Sequence, residues 1–133
     1  MSSAVAAEVR CGWGFEPAVI PNGVDAQRFI DAATDTDAQD RWRERLGRYV
    51  LTVGGIEPRK GTLDLVESYH LMRQRFPELS LVIAGGETLF DYRDYRGAFD
   101  NRCAELDVQP LILGAIADHE LPALVAGCEV FAF

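Results

Sequence analysis

The sequence predicts an α/β fold: a Rossmann-like parallel sheet with flanking helices. Short runs that are apolar on both faces alternate with amphipathic helical stretches, and the loops between them are short. Strands apolar on both faces are what a parallel sheet covered by helices requires, and right-handed strand–helix–strand connections follow. In chain order, Ala38, Trp42 and Leu46 recur at four-residue steps, with Thr36 and Gln39 as a capping box and Gly47 as the stop. "YVLTV" (49–53) reads as a buried strand. Leu65, Tyr69, Met72 and Phe76 stripe the next helix, which ends before Pro77. "LSLVIAG" (79–85) is a second strand, followed by a helix from about Asp91 to Leu106 with Phe99, Cys103 and Leu106 inward. "PLILGA" (110–115) is a third strand. A helix capped by Asp118, with Pro122 in its first turn, runs to Gly127, and "EVFAF" (129–133) is a fourth strand. Trp13 and Trp42 read as packing aromatics.

Composition narrows the function. The chain has 133 residues, 48% apolar, with 13 basic against 21 acidic residues and a net charge of −8. That length supports a single core. The acidic balance argues against nucleic acid or an anionic membrane surface as partner. Cys11, Cys103 and Cys128 form no close-spaced set, which reads as reduced thiols in the cytoplasm and argues against a disulfide framework or a zinc site. His70 and His119 have no ligand-spaced partner, and no apolar run is long enough to span a membrane.

One stretch stands out. In "VGGIEPRKGTLDLVESYH" (53–70) a strand ends in Gly54 and Gly55, a charged loop carries Arg59 and Lys60, and a helix opens near Thr62. Ligands of open α/β sheets sit beyond the carboxyl ends of strands. Two glycines permit close approach to the backbone, the helix start presents N–H groups, and two cations add formal charge, a set that suits a diphosphate. A solvated loop pairing Arg59 with Glu57 is the plainer reading of the same residues. A P-loop would need Gly before the lysine and Ser or Thr after it, where Arg59 and Gly61 stand; the dinucleotide fingerprint Gly-x-Gly-x-x-Gly is missing as well.

"VGGIEPRKGTLDLVESY" resembles the nucleotide-sugar-binding domain of retaining GT-B glycosyltransferases of the group 1 (family 4) class. "VIPNGVDAQRF" (19–29), "LVIAGG" and "LILGAIADHELPALVAGCEVFAF" are similar to further segments of that domain in the same order. The resemblance implies one half of a GT-B fold, with residues 1–16 as the tail of a preceding domain or a linker helix and 17–133 as a partial donor domain, truncated at its C-terminal end. It implies a parent that transfers a sugar from a nucleoside diphosphate sugar, such as UDP- or GDP-sugar, to an acceptor it does not identify. Configuration would be retained, without a metal or other cofactor.

Carried over residue by residue, Lys60 matches the lysine that contacts the donor diphosphate, helped by Arg59 and by the main chain at Gly54, Gly55 and Gly61. Many members have an arginine where Gly55 stands. The nucleobase would lie near Leu111, Ile112 and Gly114, and the loop at Asn22-Gly23 would line the interdomain cleft. The glutamate pair of the family would lie beyond Phe133, so no catalytic residue is assigned and the 133 residues alone would be inactive. A non-catalytic nucleotide- or phosphate-binding module is the alternative; an NAD(P)-linked domain is disfavoured by the missing fingerprint. Elsewhere, Asp25 and Arg28 read as a local pair. Tyr92, Arg93, Tyr95 and Arg96 read as a polar helix face over Leu89, Phe90 and Phe99, with contact to a base or sugar as the functional alternative. The apolar strand ending at Phe133 offers an edge for self-association.

Overall fold

β1 (Arg48–Val53) is the strand around which the chain is built, in a computed structural model that describes residues 2–85 and 92–133. Ahead of it come α1 (Ser3–Trp13), α2 (Ala26–Thr34) and α3 (Thr36–Leu46). After it come a 3₁₀ turn (Pro58–Lys60), α4 (Thr62–Arg73), β2 (Leu79–Ala84), α5 (Arg93–Glu105), β3 (Leu111–Gly114), α6 (Leu121–Gly127) and β4 (Val130–Phe131). The four strands are parallel in the order β3-β2-β1-β4. β1 pairs with β2 from Arg48–Leu79 to Val53–Ala84, and with β4 through Val50–Val130 and Leu51–Phe131. This is the α/β arrangement expected from the sequence.

Because successive strand residues face opposite sides, β1 feeds two cores. Val50, with Leu81 and Ile83, packs under Val66 and Tyr69 of α4 and Phe99 and Cys103 of α5. Tyr49 and Leu51, with Val82 and Ala84, pack under Trp42 and Leu46 of α3 and Leu124 of α6. Two buried hydroxyls in these layers have backbone partners. The Tyr49 hydroxyl donates to the Leu124 carbonyl at 2.6 Å, and the Tyr69 hydroxyl donates to the Leu79 carbonyl at 2.6 Å.

Several local expectations are corrected. α3 is capped by Asp35, whose carboxylate accepts from the Ala38 amide at 3.0 Å; Gln39 instead turns inward and donates to the Ala32 carbonyl at 2.7 Å. The carboxylate one residue earlier reaches the free amides better than Thr36 does. α2 is a nine-residue helix that the sequence analysis did not assign; Arg28, Phe29 and Ala32 are half-buried in it. α4 buries Thr62, Val66 and Tyr69 and ends at Arg73, leaving Phe76 exposed. α6 begins at Leu121 after Glu120, so Asp118 precedes the helix. Arg28 does not pair with Asp25; its guanidinium lies 2.8 Å from the Asp118 carboxylate and donates to the Asp118 carbonyl, tying α2 to the start of α6. Trp13 is 76% exposed against Phe15, whereas Trp42 is core. The proposed start of the third helix at Asp91, and the seats of Leu89 and Phe90, lie outside the described residues.

Burial pushes the Tyr49 phenol well above its usual pKa. A phenol harder to ionise in the folded chain contributes stability that is intact below about pH 10 and is lost as pH rises beyond it. Tyr49→Phe should cost about 1 kcal/mol in denaturant titrations at neutral pH. It should also make the loss of stability above pH 10 shallower than in the wild type, as read from unfolding midpoints across pH.

Candidate functional site

The strand order reverses at β1. β1, β2 and β3 run outward on one side, with α4 and α5 over one face; α6 then crosses the other face to place β4 on the opposite flank of β1. A crevice beyond the carboxyl ends of β1 and β4 is the position such a reversal creates.

Two glycines shape that edge. Gly54 follows β1 at φ 141°, backbone that other residues rarely adopt, and its amide donates to the Ala84 carbonyl at 2.9 Å. A side-chain carbon on Gly85 would stand 1.9 Å from the Gly54 carbonyl oxygen, so the ends of β1 and β2 touch only because nothing projects there. Gly55 follows, half-buried. Pro58 opens the 3₁₀ turn, in which the Lys60 amide donates to the Glu57 carbonyl at 3.0 Å and the Gly61 amide to the Pro58 carbonyl at 3.1 Å. Gly61, at φ 60°, starts α4 without a side-chain cap. The Tyr95 hydroxyl of α5 fills part of that role. It accepts from the Leu63 amide at 3.3 Å and from the Thr62 hydroxyl at 3.2 Å.

The two neighbouring cations differ. Arg59 donates to the buried Glu57 carboxylate at 2.7 Å, while most of its side chain faces solvent. That pair is nearly neutral, the Arg59–Glu57 pairing that the plainer reading of the sequence allowed. Lys60 enters no ion pair among the described residues. Its stem lies over Gly54, with Cε 3.0 Å from where a Cβ would be, and its Nζ sits 4.7 Å from the centre of the Phe133 ring. Lys60 is also the only lysine in the sequence; every other basic residue is arginine.

Thr52, Arg59, Lys60, Gly61 and Phe133 line a cavity of about 290 Å³. Beside it, Gly54, Ile56, Ile83, Gly85, Arg96, Ile112 and Gly114 line another of about 310 Å³. The sequence-predicted residues therefore gather at one edge, except Leu111, which lines neither cavity. Thr52 and Phe133 were not assigned from sequence, and Arg96 was named there only as an alternative contact to a base or sugar. A threonine inside an otherwise apolar strand was the visible signal for Thr52. Tyr95 braces α4, and Arg96 pairs with Asp100 at 2.9 Å. A larger cavity of about 730 Å³ lies among α2, α3 and α6, where Arg28, Arg41 and Arg45 interleave with Asp31, Asp35 and Glu120, so its charge is balanced. His119 lines that cavity, and His70 on α4 has a buried Nδ1 with no partner among the described residues. Among the described residues no group of three or more His, Cys, Asp and Glu is placed to hold a metal, and no helix is long and apolar enough to cross a membrane. The three cysteines are unpaired.

No family model matches the chain. A GDP-mannose-dependent alpha-(1-6)-phosphatidylinositol monomannoside mannosyltransferase of Mycolicibacterium smegmatis is 36% identical over 117 residues, covering 85% of this chain and 29% of that protein. The chain thus spans less than a third of that curated relative. The structure of Anabaena Alr3699/HepE in complex with UDP and glucose superposes with a TM-score of 0.68 at 24% identity, over 87% of this chain and 31% of that one; this likeness is one of fold. The C-terminal domain of a group 1 family glycosyl transferase, LpcC, from Francisella tularensis superposes with a TM-score of 0.63 at 26% identity, over 82% of this chain and 57% of that one.

The contact of Gly85 with Gly54 makes a stability prediction. Gly85→Ala should lose at least about 2 kcal/mol in chemical denaturation, because the obstacle is backbone and cannot rotate away.

Proposed function

We propose that the chain is the donor-binding part of a retaining GT-B glycosyltransferase of the group 1 (family 4) class, which transfers a sugar from a nucleoside diphosphate sugar to an acceptor. The observation that carries this reading is the meeting of two cavities at Gly54 and Lys60: one with an ammonium that has no ion-pair partner among the described residues and lies over the Phe133 ring, the other mostly apolar and slot-like, side by side at the switch point. Phosphate and base of one nucleotide need that pair of environments next to each other. The similarity to the mannosyltransferase makes GDP-mannose the first donor to test.

In this reading Lys60 places its charge against the diphosphate, as a mobile point charge that can follow the leaving group. Gly54, Gly55 and Gly61 keep the backbone open to close approach, and the start of α4 adds its dipole. Arg59 acts mainly on Glu57 and contributes less. Ile112 and Gly114 border the base, with Leu111 just outside. Neutralisation by side chains makes donor binding metal-independent, and the unpaired thiols fit a reducing cytoplasm. The reading assigns no catalytic carboxylate within the 133 residues.

Calorimetric titration with GDP and UDP tests it. Lys60→Ala should weaken binding about tenfold or more, the scale of one lost hydrogen bond to a charged group, and Arg59→Ala by about threefold or less. EDTA should leave affinity unchanged. Because Lys60 is the only lysine, amine acetylation followed by peptide mass spectrometry gives a second readout: saturating GDP should slow its modification. Equal affinity of wild type and Lys60→Ala, with no protection, would remove the ammonium from the site. Sugar transfer by the 133-residue chain alone would contradict this reading, which assigns no catalytic carboxylate to it.

A further inference from the structure

The slot beside Lys60 is chemically uneven. Ile56, Ile83 and Ile112 make apolar walls, and Gly54, Gly85 and Gly114 contribute backbone. Among its described lining residues, Arg96 is the one charged side chain. It stands in the first turn of α5, and its Nε donates to both carboxylate oxygens of Asp100, at 2.9 and 3.0 Å. That contact holds the stem and offsets the charge. Nη1 and Nη2 have no hydrogen-bond partner among the described residues.

A guanidinium already balanced by a carboxylate adds little net attraction for phosphate. What remains is geometry: a planar fork whose two Nη donors have no partner among the described residues, lining an otherwise apolar slot. Such a fork matches two adjacent acceptors on a flat, neutral ring. Guanine presents O6 and N7 as a neighbouring acceptor pair; adenine sets an amino donor beside N7, and uracil alternates acceptors with a donor.

We infer that Arg96 reads the nucleobase of the donor and selects guanine, a role that rests on the donor-site reading above. Asp100 acts as its positioning residue. The base lies between the isoleucine walls, and the diphosphate crosses Gly54 to Lys60. α5 thereby decides which nucleotide is bound, while the 3₁₀ turn decides that a diphosphate is bound at all.

Calorimetry of GDP, ADP and UDP against the 133-residue chain, Arg96→Met and Arg96→Lys tests the assignment. The wild type should bind GDP most tightly. Arg96→Met should weaken GDP about tenfold while UDP stays within about twofold, the discrimination expected of one bidentate base contact. Arg96→Lys should fail to restore GDP, because one ammonium cannot span both acceptors. A parallel loss for GDP and UDP, an unchanged GDP affinity in Arg96→Met, or full recovery in Arg96→Lys would each overturn base reading by the fork. Those results leave the Lys60 site standing if binding still depends on Lys60. Failure of the wild type to bind any nucleoside diphosphate would overturn both.

Discussion

β1 is covered by helices on both faces and paired on both edges, and this double burial is the constraint on which the site depends. A strand held on four sides cannot shift its register or tilt without disturbing two cores at once. Its carboxyl end is therefore a fixed point. Gly54 and Gly85 extend that rigidity past the last strand residue, since the two chains touch at a distance that excludes any side chain. The turn that follows inherits a defined start, and Lys60 is carried to the crevice by that backbone, its stem lying over Gly54 and its Nζ over the Phe133 ring.

The division of labour among the cations follows from their chemistry. Most of the arginines hold carboxylates: Arg48 spans Glu78 and Glu129, and Arg102 spans Glu67 and Glu105. Planar forks suit these fixed pairs. An ammonium on a flexible stem suits a ligand that arrives and leaves. In a chain of net charge −8, one unpaired cation at a strand reversal produces a local field opposite in sign to its surroundings. Arg59, beside it in sequence, is drawn off by the buried Glu57.

Much of the architecture was legible because burial leaves a strong periodic trace. β1, β2, α3 and α5 announce themselves through buried apolar spacing; the runs at 110–115 and 129–133 are equally apolar, yet β3 and β4 lie at the flanks of the sheet with Leu111, Ile112, Val130 and Phe131 exposed, and β4 is only two residues long. α2 escaped because it is only nine residues long and its inward residues, Phe29 and Ala32, are no more than half-buried; it packs on α3 and α6, with Arg28 reaching Asp118, 90 residues along the chain. The capping of α3 was misjudged by one residue because Asp35 and Thr36 are both good caps, and only backbone geometry chooses between them. Trp13 looked like core because tryptophan usually is; its exposure depends on what packs over α1.

By itself the sequence determined the class of fold, the strand-to-helix junction that carries Arg59 and Lys60, and the need for glycine there, because hydrophobic period and backbone freedom are local properties. Tertiary structure alone decided which cation is free, that Arg96 shares a slot with Ile112 and Gly114, and that β4 lies beside β1 so that Phe133 meets Lys60. Those outcomes turn on distances between groups far apart along the chain. Such distances are settled by the joint packing of both cores, which no single stretch of residues encodes.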